Sequence, residues 1–299
     1  MPSLRSGNLK LFRAFGINVY LHWAWALVAV VEIQFRRGSY GSILWNIVEY
    51  LVLFMLVLMH EFGHALACRS VGGRPDRIVL WPLGGVAYVD PPQRPGPILW
   101  SIAAGPLVNL ALVPLLGIPF GLNLAGTLTL SPDLSHFVTA IFAINVILLI
   151  FNLLPIYPLD GGKILHALLW FVMGRAWSLA VVAVIGILGT LALAGLAVYG
   201  KSLWNGMLAF YLGTHAWSAL TRARTMIATG RRARHPGTHC PACGEPAVIG
   251  EDLSCRCGQP VDPFASGSTC PSCGAQFAAT GCLFCGHMSP IQAWRHPPR

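Results

Sequence analysis

The stretch "LVLMHEFGHALACRS", residues 56–70, is an apolar run that takes up His60, Glu61 and His64 in its middle. The run reaches back to about residue 43, long enough to cross a bilayer as a helix, for which roughly 20 residues suffice. In hydrocarbon each ionisable side chain costs about 2.5–3.5 kcal/mol on insertion scales, so such residues are kept there for a function. On a helix, positions i and i+4 share one face and stand about 6 Å apart along the axis. Two imidazoles at that spacing can bind one zinc ion, and the glutamate beside the first histidine is placed to act as general base on water. His-Glu-x-x-His also arises by accident in soluble proteins. The membrane penalty makes accident a poor account here.

The remainder of the chain agrees with a membrane setting. Of 299 residues, 55% are apolar and only 10% charged, against about 25% charged in ordinary soluble domains. The expected fold class is an α-helical polytopic membrane protein with about six transmembrane helices, near 16–35, 43–67, 98–121, 135–157, 177–199 and 203–220. The first run lacks a small-residue cleavage site and reads as a retained span. Segment 74–97, "RPDRIVLWPLGGVAYVDPPQRPGP", is too short and broken to span. Its β-branched and aromatic residues around Gly84–Gly85 predict a small membrane-associated β-hairpin. Basic residues occupy alternate loops: Arg5, Lys10 and Arg13, then Arg69, Arg74, Arg77 and Arg94, then Lys163 and Arg175, then the arginines of 222–234. Loop 122–134 has none, while Arg36, Arg37 and Lys201 run against the pattern. By the positive-inside rule the N- and C-termini are cytoplasmic, in a multi-pass protein of the cell membrane.

A catalytic zinc held by two histidines wants a third protein ligand and an open position. Asp160 in "FNLLPIYPLDGGKIL", residues 151–165, is the candidate. It closes the fourth span, which runs in the same direction as the second, so Asp160, His60 and His64 fall at similar depth. Alone, Asp160 would be a carboxylate in a turn.

"HEFGH" at 60–64, followed by "NLLPIYPLDGG" at 152–162, resembles the site-two protease family of intramembrane metalloproteases. The resemblance covers roughly residues 12–220. It implies that His60, His64 and Asp160 bind the catalytic zinc and that Glu61 is the general base. It also implies membrane protein substrates cut in or near their spans, often regulatory proteins already trimmed by another protease. "AAGPLVN" at 103–109 is similar to a further family pattern. The resemblance thereby implies substrate-positioning roles for Asn109 and Asn152, against the plainer reading of interhelical hydrogen bonds. No segment reads as a PDZ or nucleotide-sensing module. A membrane zinc transporter or sensor, or an inactive protease-like scaffold, would carry the same histidines. Neither needs a glutamate beside the first one. His22, in "HWAW", reads as part of an interfacial aromatic cluster, and Cys68 as a packed small residue.

Eight of the nine cysteines lie between 240 and 285, as "CPAC", "CRCG", "CPSCG" and "CLFCG". Taken in chain order they give two zinc ribbons, Cys240, Cys243, Cys255 and Cys257 in the first and Cys270, Cys273, Cys282 and Cys285 in the second. His239 or His287 could replace a ligand. Disulfides are the rival and would require the opposite topology, since thiols stay reduced in the cytoplasm. The expected domains are a transmembrane metalloprotease domain over 1–220, a basic linker over 221–238 and a cytoplasmic zinc-ribbon-like domain over 239–299. The zinc inventory is then one catalytic and two structural ions. The partners are the lipid bilayer, membrane protein substrates and a protein partner for the ribbons. Nucleic acid is disfavoured, because no basic stripe interleaved with aromatics is present.

Overall fold

In a computed structural model of the chain, residues 7–35, 38–81, 84–250 and 253–295 are described. Arg5, Arg36 and Arg37, which entered the charge pattern, lie outside them. The described chain opens with β1 (Asn8–Ala14), β2 (Ile17–His22) and α1 (Ala24–Phe35). Next come α2 (Ile43–Ser70), β3 (Arg74–Trp81), β4 (Gly84–Asp90), α3 (Pro95–Leu124) and α4 (Pro132–Leu153). α5 (Asp160–Tyr199) and α6 (Leu203–Gly230) complete the helices. Among the described residues, four helices are long and apolar enough to cross a membrane, α2 to α5.

Six spans were expected, and the first and last read differently in the structure. Run 16–35 divides into β2 and the 12-residue α1. At 1.5 Å per residue α1 is about 18 Å long, short of a hydrocarbon core of about 30 Å. Its apolar strand half belongs to a sheet instead. Phe15 and Gly16, with φ of 50° and 78°, turn β1 back onto β2 in the primed geometry that suits a tight hairpin. At the other end, α6 does not stop at 220. It continues to Gly230 and carries Arg222 and Arg224 on its exposed side. Its inner side, Ala219, Leu220, Ala223 and Met226, packs on Leu179 and Ala183 of α5. The supposed linker 221–238 is thus helix for its first ten residues. Beyond the helix, Arg234 bridges to Val248 and the His235 amide donates to the Ala247 carbonyl.

The hairpin expected in 74–97 forms as β3 and β4. It extends a four-stranded sheet of order β1-β2-β3-β4, with β2 and β3 parallel. Ile17, Val19, Ile78 and Leu80 from the inner face of β2 and β3 meet Val57, Leu58 and Ala65 of α2 in one buried cluster. The sheet therefore clamps α2 along the turns that flank His60 and His64, and β4 is left as an edge strand.

α5 holds one break. Gly174 has φ 77° and ψ 167°, a conformation costly to residues with a Cβ, and it divides the 40-residue element into 160–173 and 175–199.

In the C-terminal region β5 (Leu253–Ser254) pairs with β6 (Pro260–Val261), and β7 (Ala279–Gly281) with β8 (Met288–Pro290). The cysteines are grouped differently from their order in the chain. Cys240 and Cys243 meet Cys282 and Cys285, while Cys255 and Cys257 meet Cys270 and Cys273. The outer pairs close over the inner ones because the chain ends are tied together. The His239 amide donates to the Trp294 carbonyl at 2.7 Å, and Trp294 is buried in one cluster with Cys240, Ala247 and Cys282. Cross-pair sulfur distances are 3.7 Å for Cys240–Cys285 and Cys243–Cys282, 3.5 Å for Cys255–Cys273 and 3.7 Å for Cys257–Cys270. A disulfide needs about 2.05 Å. A zinc tetrahedron with bonds of about 2.3 Å has edges of roughly 3.8 Å, so both sets fit structural zinc.

Nesting has a consequence that chain-order grouping lacks. A chain ending at residue 268 keeps Cys240, Cys243, Cys255 and Cys257 but takes half of each set. It is expected to lose both structural zinc ions, and elemental analysis against the full chain should show a fall of about two zinc per chain. A fall of one would restore the chain-order grouping.

Candidate active site

α2 presents His60, Glu61 and His64 from its second half, all buried. Asp160 joins them from the first turn of α5, where the helix N-terminus favours a carboxylate. Gly161 and Gly162 make this possible. Loop 154–159 folds so closely against the start of α5 that a Cβ on Gly162 would lie 2.6 Å from the Tyr157 amide nitrogen, and one on Gly161 would overlap the Leu153 and Leu154 carbonyls.

The three ligand-type atoms form a tight triangle. Asp160 Oδ2 lies 3.0 Å from His60 Nε2 and 3.1 Å from His64 Nε2, and the two Nε2 atoms are 3.1 Å apart. The other carboxylate oxygen, Oδ1, faces Lys163 Nζ at 3.7 Å, so the two Asp160 oxygens are divided between tasks.

Hydrogen bonds at the back of each ring assign the protons. Asn109 Nδ2 donates to Asn145 Oδ1 at 2.9 Å, and Asn145 Nδ2 donates to the Asn109 carbonyl at 3.0 Å. That leaves Asn109 Oδ1 to accept from His60 Nδ1 at 2.6 Å. His64 Nδ1 donates to the Ser101 carbonyl at 2.9 Å. With both Nδ1 atoms protonated, both Nε2 atoms of the neutral rings are bare acceptors. Two lone pairs and a carboxylate oxygen facing one another at 3.0–3.1 Å repel unless a cation lies among them. Zinc with bonds of 2.0–2.1 Å has tetrahedral edges of roughly 3.3 Å, so the donor set and its spacing fit. Gly105 on α3 leaves the necessary room. A Cβ there would lie 2.7 Å from His60 Nε2 and closer still to His64 Nε2.

Glu61 faces a cavity of about 290 Å³ that His60 and Asp160 also line, together with Gly85, Asn152 and Tyr211. β4 passes directly over the carboxyl group, since a Cβ on Gly85 would come within 2.5 Å of Glu61 Oε1.

Of the residues expected from sequence, His60, His64 and Asp160 come together, with Glu61 beside them at the same cavity. Asn152 lines that cavity. Asn109 differs. It is fully buried behind His60, and its side-chain bonds run to His60 and Asn145. It orients the His60 ring from behind. Asn145, its equally buried partner, was missed. A lone asparagine in the apolar run "FAINVILL" was the available signal. His22 stacks on Trp81 at 4.0 Å and lies 5.6 Å from Trp23, an aromatic cluster away from the triangle. Cys68 is fully buried.

Two substitutions separate these roles. Gly105→Ala is expected to lower the zinc content of the full chain by one ion while leaving the cysteine sites loaded. Asn109→Ala, which frees the His60 ring, is expected to weaken zinc affinity at the membrane site by about 10–100-fold, read by competition with a calibrated chelator.

The chain matches the model of peptidase family M50 over residues 48–126 and 116–196. It is 34% identical over 182 residues to a zinc metalloprotease of Methanocaldococcus jannaschii, covering 60% of this chain and 50% of that protein. It is 33% identical over 135 residues to stage IV sporulation protein FB of Bacillus subtilis, covering 44% of this chain and 43% of that one. The matches thus span about half the length of these curated relatives. A solved structure, the site-2 protease from Methanocaldococcus jannaschii, superposes with a TM-score of 0.51 at 27% identity, over 71% of this chain and 95% of that one. The family match takes in α2 with its two histidines and the start of α5 with Asp160, and on that ground the chain belongs to peptidase family M50, the family of the site-2 proteases.

Proposed function

We propose that this chain is an intramembrane zinc metalloprotease that hydrolyses peptide bonds in or near the membrane-spanning segments of other proteins. The observation that carries the reading is the placement of Glu61. It is buried beside the three-ligand triangle and shares one cavity with His60 and Asp160. Metal storage or transport gives a glutamate no reason to stand there.

His60 and His64 would hold zinc through their bare Nε2 atoms, and Asp160 through Oδ2. Zinc held there would supply Lewis acidity. Glu61 takes the proton of the attacking water and delivers it to the leaving amine. Asn109 and Asn145 keep His60 in its ligand tautomer, and the Ser101 carbonyl does the same for His64. Lys163 occupies the second oxygen of Asp160 and so keeps Oδ2 turned inward.

A helical substrate hides its carbonyls in hydrogen bonds, so the cleaved segment must be extended when it arrives. β4 is one edge strand of the sheet and crosses over Glu61 at Gly85. An extended peptide added to that edge would lay its backbone across the cavity that Asn152 also lines. The membrane is the cell membrane, with both termini in the cytoplasm. The cysteine unit, loaded with two zinc ions, serves recognition of a protein partner or regulation.

Glu61→Gln keeps the shape of the site and removes the base. It is expected to lower cleavage of single-span test substrates, coexpressed with wild type or variant, by at least about 10²-fold while the zinc content stays that of wild type. Cleavage undiminished in the variant would remove Glu61 from the mechanism. Loss of zinc along with activity would show instead that Glu61 helps hold the metal.

A further inference from the structure

A second cavity, of about 550 Å³, lies where the cysteine unit meets the membrane helices. Its walls come from the residues before α3, the break in α5, the last turn of α6, and the cysteine unit through Cys243, Glu245 and Phe284. Four guanidinium groups line it, those of Arg94, Arg175, Arg231 and Arg234, against the single carboxylate of Glu245. Arg234 is engaged with protein. It donates to the Pro246 carbonyl at 3.1 Å and lies 4.6 Å from the Phe284 ring. Arg175 is not so served. It sits 5.1 Å from the Trp170 ring, and its Nη1 is buried with no acceptor among the described residues. A buried charged donor left without an acceptor is costly, and four like charges around one cavity add to that cost.

The depth of the cavity matters as much as its charge. The cavity lies at the start of α3, the break in α5 and the last turn of α6, and Trp170 and Trp177 stand beside them. Tryptophan of this kind marks the headgroup level of a bilayer. Basic pockets between helices at that level suit phosphate, whose oxygens match the planar fork of arginine.

We propose that this cavity binds a phosphate-bearing anion, gripped by Arg175 and flanked by Arg94 and Arg231, at the seam between the cysteine unit and α5. The phosphate comes from a lipid headgroup or from a soluble phosphate ester, and both present the same oxygens to the same fork. The ligand lies among the arginines that line the cavity, offsets their like charge and holds the seam closed.

The test uses the full chain, zinc-loaded, in neutral detergent. Three probes are compared, namely inorganic phosphate, glycerol phosphate and phosphatidylglycerol, with phosphatidylcholine as the zwitterionic reference. Retention is read by native mass spectrometry and by the shift in thermal midpoint. The wild type is expected to retain about one anion per chain. Arg175→Gln, and separately the exposed pair Arg94→Gln/Arg231→Gln, should each weaken retention by roughly tenfold or more. Arg224→Gln, exposed on α6 outside the cavity, should leave it unchanged. Retention of the soluble esters assigns the site to free phosphate, and retention of phosphatidylglycerol alone assigns it to a headgroup. The paired variant keeps the test decisive if Arg175→Gln fails to fold. Equal retention by wild type and the cavity variants overturns the proposal, as does failure to retain any probe. Release of structural zinc by Arg175→Gln with anion retention intact also overturns it, because the guanidinium would then serve the Cys243 set.

Discussion

Two imidazole lone pairs and one carboxylate oxygen, all within 3.1 Å of each other in an apolar surround, cannot stay together without a positive charge between them. Most of the membrane fold is arranged around that constraint. The sheet grips α2 on either side of the histidines. α3 brings Gly105 against the two Nε2 atoms, where a side chain would collide with them, and the same helix supplies Asn109 and the Ser101 carbonyl to hold the rings from behind. α4 adds Asn145 to complete the Asn109 network. α5 begins with the third ligand. Helices α2 to α5 each contribute parts that the others lack, and the site is thereby spread over about 100 residues of chain.

The parts legible in the sequence were those whose signal is local and costly. His60, Glu61 and His64 stand out because hydrocarbon penalises them. Asp160 stands out because two glycines follow it, and the close packing at Gly161 and Gly162 explains those glycines. The hairpin of β3 and β4 was readable from β-branched residues around a glycine pair. What escaped was set by partners remote in sequence. β2 is as apolar as a span, and only its pairing with β1 and β3 makes it a strand. α6 was cut at the arginines although its buried face runs on to Met226 against α5. For Asn109 the sequence leaves substrate positioning and interhelical hydrogen bonding both open, because its partner Asn145 lies 36 residues away on another helix.

The cysteines show the same limit in a different form. C-x-x-C spacing identifies a half-site, because two thiolates at that spacing meet one metal. It does not say which half-sites combine. That choice was made by the tie between residues 239 and 294 and by the burial of Trp294 against Cys240 and Cys282. In a unit with so little apolar core, the burial of Trp294 and the backbone tie to His239 bring the first and last cysteine pairs together.

The break at Gly174 links the two ends of the molecule. Segment 160–173 of α5 is an unbroken helix about 21 Å long. At its start it carries Asp160, and at its end it meets the cavity lined by Arg175, Cys243 and Phe284. Phe284, from the loop between Cys282 and Cys285, packs both against the α5–α6 cluster and within the outer cysteine cluster. The break at Gly174 and the ligand Asp160 thus stand at opposite ends of one uninterrupted helical segment, so the residue that completes the triangle and the residues that meet the cysteine unit are joined by a single run of backbone hydrogen bonds.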